Sequence, residues 1–191
     1  ISYVRVRTLV LEGPWYLENT WHEKKAEDLD PAGRAEMQKK TFDEYNRLLG
    51  GNATQAQLLA YLLMTASGCH ILSAVRELIG LPKAIRTAAL SPTGAQFTLV
   101  LEYEGFNMVF EEMNDQSVVE FDESIEIYQG DRKLSLKYDS PYIRYLPSRL
   151  TVQDLENGQA RETVYGPQYH DMFFNELLEF HRCIAEHDTP K

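Results

Sequence analysis

His70 stands two residues after Gly68 in Thr65-Ala-Ser-Gly-Cys-His-Ile-Leu-Ser-Ala-Val-Arg-Glu-Leu-Ile-Gly80, immediately before an apolar stripe of helical period. An imidazole at such a place can bind a substrate hydroxyl or relay a proton near neutral pH. The same ring also serves as a packed or capping group, and both readings stay open on the residues alone. Asp122-Glu123 offers two carboxylates for acid–base work, yet neighbours in a strand point to opposite faces and cannot address one bond. Glu123 shares its face with Phe121 and Ile125, and a solvated edge is the expectation for it, with a buried, paired carboxylate as the alternative.

Two further groups suit a sugar-like ligand. Trp15-Tyr-Leu-Glu-Asn-Thr-Trp21-His22 mixes stacking rings with amide and carboxylate groups. Tyr142, Arg144 and Tyr145 surround a cation fit for a carboxylate or phosphate. Each could instead be structural: a loop pinned by two tryptophans, or an arginine paired with one of the 29 acidic residues. Tyr169 and His170 precede the last helix. His181 and His187, six apart, share no helix face, and no His/Asp/Glu/Cys group has metal-ligand spacing, so no metal is expected.

The elements that must position these groups follow from periodicity. Residues 1–11 read as a strand with Val4, Val6 and Val10 on one face. Residues 15–29 have no steady period and read as a loop. A helix is expected from Arg34 to Leu49, a second after an N-cap at Thr54, and a third through Ile71, Leu72, Val75, Leu78 and Ile79 to Gly80. His70 would then occupy the first turn of the third helix, where the helix dipole disfavours an imidazolium.

From Ala84 the period becomes two. Strands are expected at 84–90, 96–103 and 106–110, then a hairpin around Gln129-Gly-Asp131 and another around Asn157-Gly158, the last at an edge. Phe173, Leu177, Phe180 and Ile184 mark a closing helix. The result is one α+β domain with a large, mostly antiparallel, open-faced sheet and helices on one side. The aromatic content of that sheet (Tyr103, Phe106, Phe110, Phe121, Tyr128) leads us to expect its open face to meet a second copy of the chain.

Bulk properties exclude several classes. The 191 residues are 43% apolar and carry a net charge of −10, which leaves no basic field for nucleic acid or anionic membrane. Only Cys69 and Cys183 are present, against a disulfide framework and for a reducing compartment; a cytoplasmic location is expected. No apolar run approaches the ~18 residues of a membrane span, and no signal peptide is visible. The first residue is Ile1 in a strand and the last residues stop just after a helix, which reads as a chain cut at both ends.

Read in order, ISYVRVRTLVLEGP (1–14), GCHILSAVRELIGLPKAI (68–85), VEFDESIEIYQGDRKLSL (119–136) and YHDMFFNELLEFHRCIAEHDTPK (169–191) resemble successive landmarks of the C-terminal domain of the Gfo/Idh/MocA oxidoreductases, which include glucose-fructose oxidoreductase and inositol dehydrogenase. The resemblance covers nearly the whole chain. It implies a substrate-binding and oligomerisation domain of an NAD- or NADP-dependent enzyme acting on a sugar, polyol or related hydroxy compound. The cofactor would be held by an N-terminal dinucleotide-binding domain absent here, so that the fragment alone would be inactive; no G-x-G-x-x-G pattern occurs in the chain. It implies a catalytic role for His70 and puts Tyr169-His170 near the substrate cleft. One departure stands out. The helix start of this family commonly reads Asp-x-Gly-x-His, and the aspartate position here is Ala66. That departure is the best support for a rival reading, a non-catalytic assembly or ligand-sensing module that keeps the fold.

Overall fold

The computed structural model describes residues 1–10, 30–114, 121–140, 143, 146–168 and 172–189. Its elements are β1 (Tyr3–Val10), α1 (Pro31–Leu48), α2 (Gln55–Leu63), a π-helical turn (Met64–Gly68), α3 (Cys69–Ile79), β2 (Ala84–Leu90), β3 (Gln96–Glu102), β4 (Asn107–Asn114), β5 (Asp122–Gln129), β6 (Arg132–Tyr138), β7 (Ser148–Glu156), β8 (Gln159–Gln168) and α4 (Met172–Glu186). The eight strands form one sheet in the order β2-β3-β4-β1-β5-β6-β7-β8. Only β1 and β4 run parallel; the other neighbours are antiparallel. The α+β, open-sheet expectation is borne out. β1, first in sequence, sits in the middle of the sheet, because its Val4 and Val6 need cover on both flanks and reach 0% exposure between β4 and β5.

Local signals explain most boundaries. Thr54 caps α2 through a capping box, its hydroxyl accepting from Gln57 N–H while the Gln57 side chain accepts from Thr54 N–H. Asp30 caps α1 by accepting from Ala32 and Gly33. Gly130 (φ 61°) and the Asn157-Gly158 pair (φ 53° and 77°) turn the β5–β6 and β7–β8 hairpins, and β8 is an edge strand as expected.

Two expectations are corrected. The second and third helices are one continuous helix from Gln55 to Ile79, 25 residues long, with the π-helical turn inside it. Gly68 is itself helical (φ −59°, ψ −29°), so His70 does not lie at a free helix start and the N-terminal dipole does not act on it. By length and composition this joined helix could cross a membrane, its mean hydropathy reaching 1.7. Part of that apolarity is used within the domain: Leu58, Leu63, Ile71 and Val75 are buried, and Leu63, Ile71 and Val75 join one core with Val4, Val6, Phe97, Leu101, Met108, Phe110 and Ile125 of the sheet.

The second correction concerns the aromatic rings. Tyr103 and Phe110 are buried in the core, and Tyr103 stacks on Phe106 at 4.9 Å. The open face carries the Tyr3–Tyr128 ring pair, centroids 5.6 Å apart, among ion pairs. Arg5 donates to Glu111 at 2.6 and 3.0 Å, Arg7 to Glu111 and Asp122 at 3.2 Å each, and Lys133 pairs with Glu126 at 2.5 Å beside Tyr128. The Arg5 guanidinium holds the Glu111 carboxyl below the usual carboxylate range. Alternation alone cannot tell which face of a strand the rings occupy.

Candidate functional site

Beside the core, the covered face of the sheet carries a polar row across its central strands. Register sets it: Glu112 of β4 lies opposite Thr8 of β1, Thr8 opposite Glu123 of β5, and Glu123 opposite Tyr138 of β6. On each strand the row continues an apolar series of period two, Met108-x-Phe110-x-Glu112, Val4-x-Val6-x-Thr8 and Glu123-x-Ile125-x-Ile127, so the same pleat that buries the core buries these groups. Thr8 is 1% and Glu112 2% exposed.

Partners fix the row in place. Thr8 Oγ1 donates to Glu123 Oε1 at 3.2 Å, and Ser67 of the π-helical turn lies against Glu112 Oε1 in a short hydrogen bond. Glu112 Oε2 is buried with no hydrogen-bond partner. Gly68 permits the close approach: a Cβ there would stand 2.5 Å from Glu112 Oε2 and 3.3 Å from the Phe110 ring. Burial pushes the Glu112 carboxyl up to about 7, opposed by the Ser67 hydroxyl and assisted by Glu123. Burial likewise raises Glu123, opposed by the Thr8 hydroxyl and by the charge of His70. The Tyr138 phenol is raised by burial, then by Glu123.

His70 is exposed on the first turn of α3, one turn beyond Ser67, and its charge acts on Glu123. An imidazole open to solvent above a half-buried carboxylate is an arrangement that can hold a hydroxyl and exchange its proton. A cleft of about 450 Å³ reaches this end of the sheet, lined by Leu9, Gln96, Phe97, Glu111, Glu112 and Met113 among others. Ala66, four residues before His70, is exposed as well.

Of the residues given a catalytic or substrate-binding role from the sequence, His70 alone falls among those described. Trp15, Trp21, His22, Arg144, Tyr169 and His170 lie outside the described residues. Glu123 is corrected: it is no solvated edge but a half-buried, hydrogen-bonded carboxylate, while its neighbour Asp122 pairs with Arg7 on the other face. Glu112, Thr8, Ser67 and Tyr138 were missed. The signal for Glu112 and Thr8 was present, since each extends an apolar alternation by one step; the signal for Ser67 was not, because it depends on where the helix crosses the sheet.

No protein-family model matches the sequence, and neither does any curated protein. Among solved structures, a protein of Desulfitobacterium hafniense assigned as an NADPH-dependent oxidoreductase matches at TM-score 0.59 and 15% identity, over 98% of this chain and 48% of that one. An assigned oxidoreductase of Bacillus subtilis (TM-score 0.48, 14% identity, 64% of this chain and 42% of that) and a UDP-N-acetylglucosamine 3-dehydrogenase of Acidithiobacillus ferrooxidans (0.48, 14%, 98% and 46%) are similar more distantly. The chain spans less than half the length of each. The match at 0.59 bears out, at the level of fold, the sequence resemblance to an oxidoreductase domain, and at 15% identity it speaks to the fold alone.

Proposed function

We propose that this chain is the substrate-binding and subunit-contact domain of an NAD(P)-dependent oxidoreductase acting on a sugar, polyol or related hydroxy compound. The observation that carries the reading is His70, exposed to solvent with its charge acting on the half-buried Glu123, in a fold shared with about half of an oxidoreductase-assigned protein. His70 binds the reacting hydroxyl and relays its proton, and Glu123 steadies the positive charge that the ring acquires. Trp15, Trp21, His22, Arg144, Tyr169 and His170 complete the substrate side by stacking and by pairing with an anionic substituent.

Among the described residues no glycine-rich turn joins a strand to the start of a helix, and the sheet is antiparallel where a nucleotide cradle needs parallel strands. These residues do not fit a dinucleotide, so we assign NAD or NADP to a dinucleotide-binding domain outside the 191 residues. The apolar stripe of α4 goes with that assignment, Phe173, Leu177, Phe180 and Ile184 being 52%, 67%, 60% and 60% exposed. The open sheet face, with its ion-pair lattice, is the surface we assign to a homo-oligomer. A cytoplasmic location goes with this reading.

The experiment is a screen of the full gene product with NAD and NADP against sugars and polyols, followed by His70→Ala. Hydride transfer to one of the two nucleotides is expected, and the variant should lose at least ~10-fold in kcat/KM with nucleotide affinity retained. The exposed Ala66 favours a second reading, an assembly or sensing module. A drop of less than ~3-fold would decide for it.

A further inference from the structure

The hydrogen bonds around Ser67 pose a question of proton supply. Ser67 Oγ lies 2.9 Å from the carbonyl of Leu63, which can only accept, and also in short contact with Glu112 Oε1. A serine hydroxyl has a single proton to donate. With Glu112 ionised, both neighbours are acceptors and one goes unserved. With Glu112 protonated, the chain Glu112 O–H to Ser67 Oγ, and Ser67 O–H to Leu63 C=O, is satisfied at every link. The buried Oε2, which has no partner, is then a neutral carbonyl oxygen rather than half of a carboxylate, and that is much the cheaper group to leave unpaired.

The charged surroundings point the same way. From β5 Glu123 faces Glu112 across Thr8, and like charge disfavours ionisation of both. On the helix the titratable groups nearby in sequence are the exposed Cys69 and His70, and His70 acts on Glu123. From β6 comes Tyr138, opposite Glu123, and from β3 the apolar Phe97. Arg7, Glu111 and Asp122 are on the other face of the sheet and pair with one another there.

We propose that Glu112 is a neutral, proton-bearing carboxylic acid in the folded protein, and that its O–H bond to Ser67 fastens the π-helical turn, and with it His70, to the sheet. Glu112 is in this sense a positioning residue. Loss of its proton leaves two acceptors facing one serine and a charge with no partner at Oε2, so the turn is released from β4. The claim about the fastening is independent of any catalytic role; only its consequence for turnover rests on the reading of His70 given above.

The test compares the full-length protein with Glu112→Gln and Ser67→Ala. Glutamine keeps the shape of the neutral acid and donates an N–H to Ser67 at every pH. A carboxyl whose folded pKa exceeds its unfolded value stabilises the fold most below the unfolded value, and that contribution is lost as pH rises through the folded one. Between 4.5 and about 7 the wild type should therefore lose on the order of 100-fold in its folding constant, read by urea denaturation, while Glu112→Gln stays flat across this window at this site. The infrared carbonyl band of a protonated carboxyl should be present in the wild type at pH 6, absent in Glu112→Gln and shifted in Ser67→Ala. Parallel stability profiles for wild type and Glu112→Gln, or no such band, overturn the proposal. Where turnover is measurable, kcat/KM should fall above neutral pH in the wild type and hold in Glu112→Gln. If stability diverges as expected and kcat/KM does not, the fastening stands and its link to His70 is overturned; if no turnover is found, stability and infrared still decide the fastening.

Discussion

At the level of single residues, the chemistry of this protein comes from polar groups placed where the sequence pattern calls for apolar ones. Thr8 ends the series begun by Val4 and Val6 and is buried as deeply as they are, yet its hydroxyl serves Glu123 at 3.2 Å. Thr8→Val keeps the shape and removes the donor, leaving a half-buried carboxylate with one bond fewer. The expected cost is about 1–3 kcal/mol at pH 8. Because burial raises the Glu123 carboxyl, acidification protonates it more readily than an ordinary glutamate and the donor is needed less, so the cost should shrink from pH 8 to pH 4. Urea denaturation of the variant at the two pH values checks this; an equal cost at both would mean that Thr8 acts through shape alone. His70 was legible from its spacing to Gly68, whereas its charge partner was not, since Glu123 and His70 are 53 positions apart in sequence and meet only through the crossing of α3 over β5.

At the level of elements, most boundaries were readable because they rest on local physics. The Thr54 capping box, the turn at Gly130 and the Asn157-Gly158 hairpin each depend on residues within three or four positions. What was not readable depends on distant partners. The glycine and small polar residues of 65–68 look like a break between two helices, but the chain continues through them as a π-helical turn, which lets Ser67 and Gly68 come down on Glu112 and Phe110. Pairing of β1 with β4 and β5 was equally hidden, since its partners come about 100 residues later. Gly94 shows the same dependence. In the β2–β3 turn it adopts φ +82° with its α-carbon against the Ala56 backbone at the start of α2, so that a Cβ would strike the Ala56 carbonyl. Gly94→Ala combines a left-handed backbone with a clash against main chain, and should cost about 2–4 kcal/mol by thermal or chemical denaturation. A loss under ~0.5 kcal/mol would show that this turn is not held against α2.

On the scale of the whole molecule, the sheet divides the protein into two surfaces of different character. One holds the apolar core under the long helix, crossed by the polar row whose Glu123 feels the charge of His70; the other is a lattice of arginine, lysine and carboxylate pairs. The exposed rim of the first at His70 is the part we assign to substrate. The second suits a contact with another protein surface of mixed charge, where exposed pairs add little stability but fix register. In the proposed division of labour, the nucleotide and the substrate approach each other from different domains. The measurement that tests it most directly is a fluorescence titration of NADH and NADPH into the 191-residue chain, its folding verified by circular dichroism, alongside the full gene product. The account predicts saturable binding by the full product and none by the chain alone. Saturable binding of either nucleotide by residues 1–191 would contradict it.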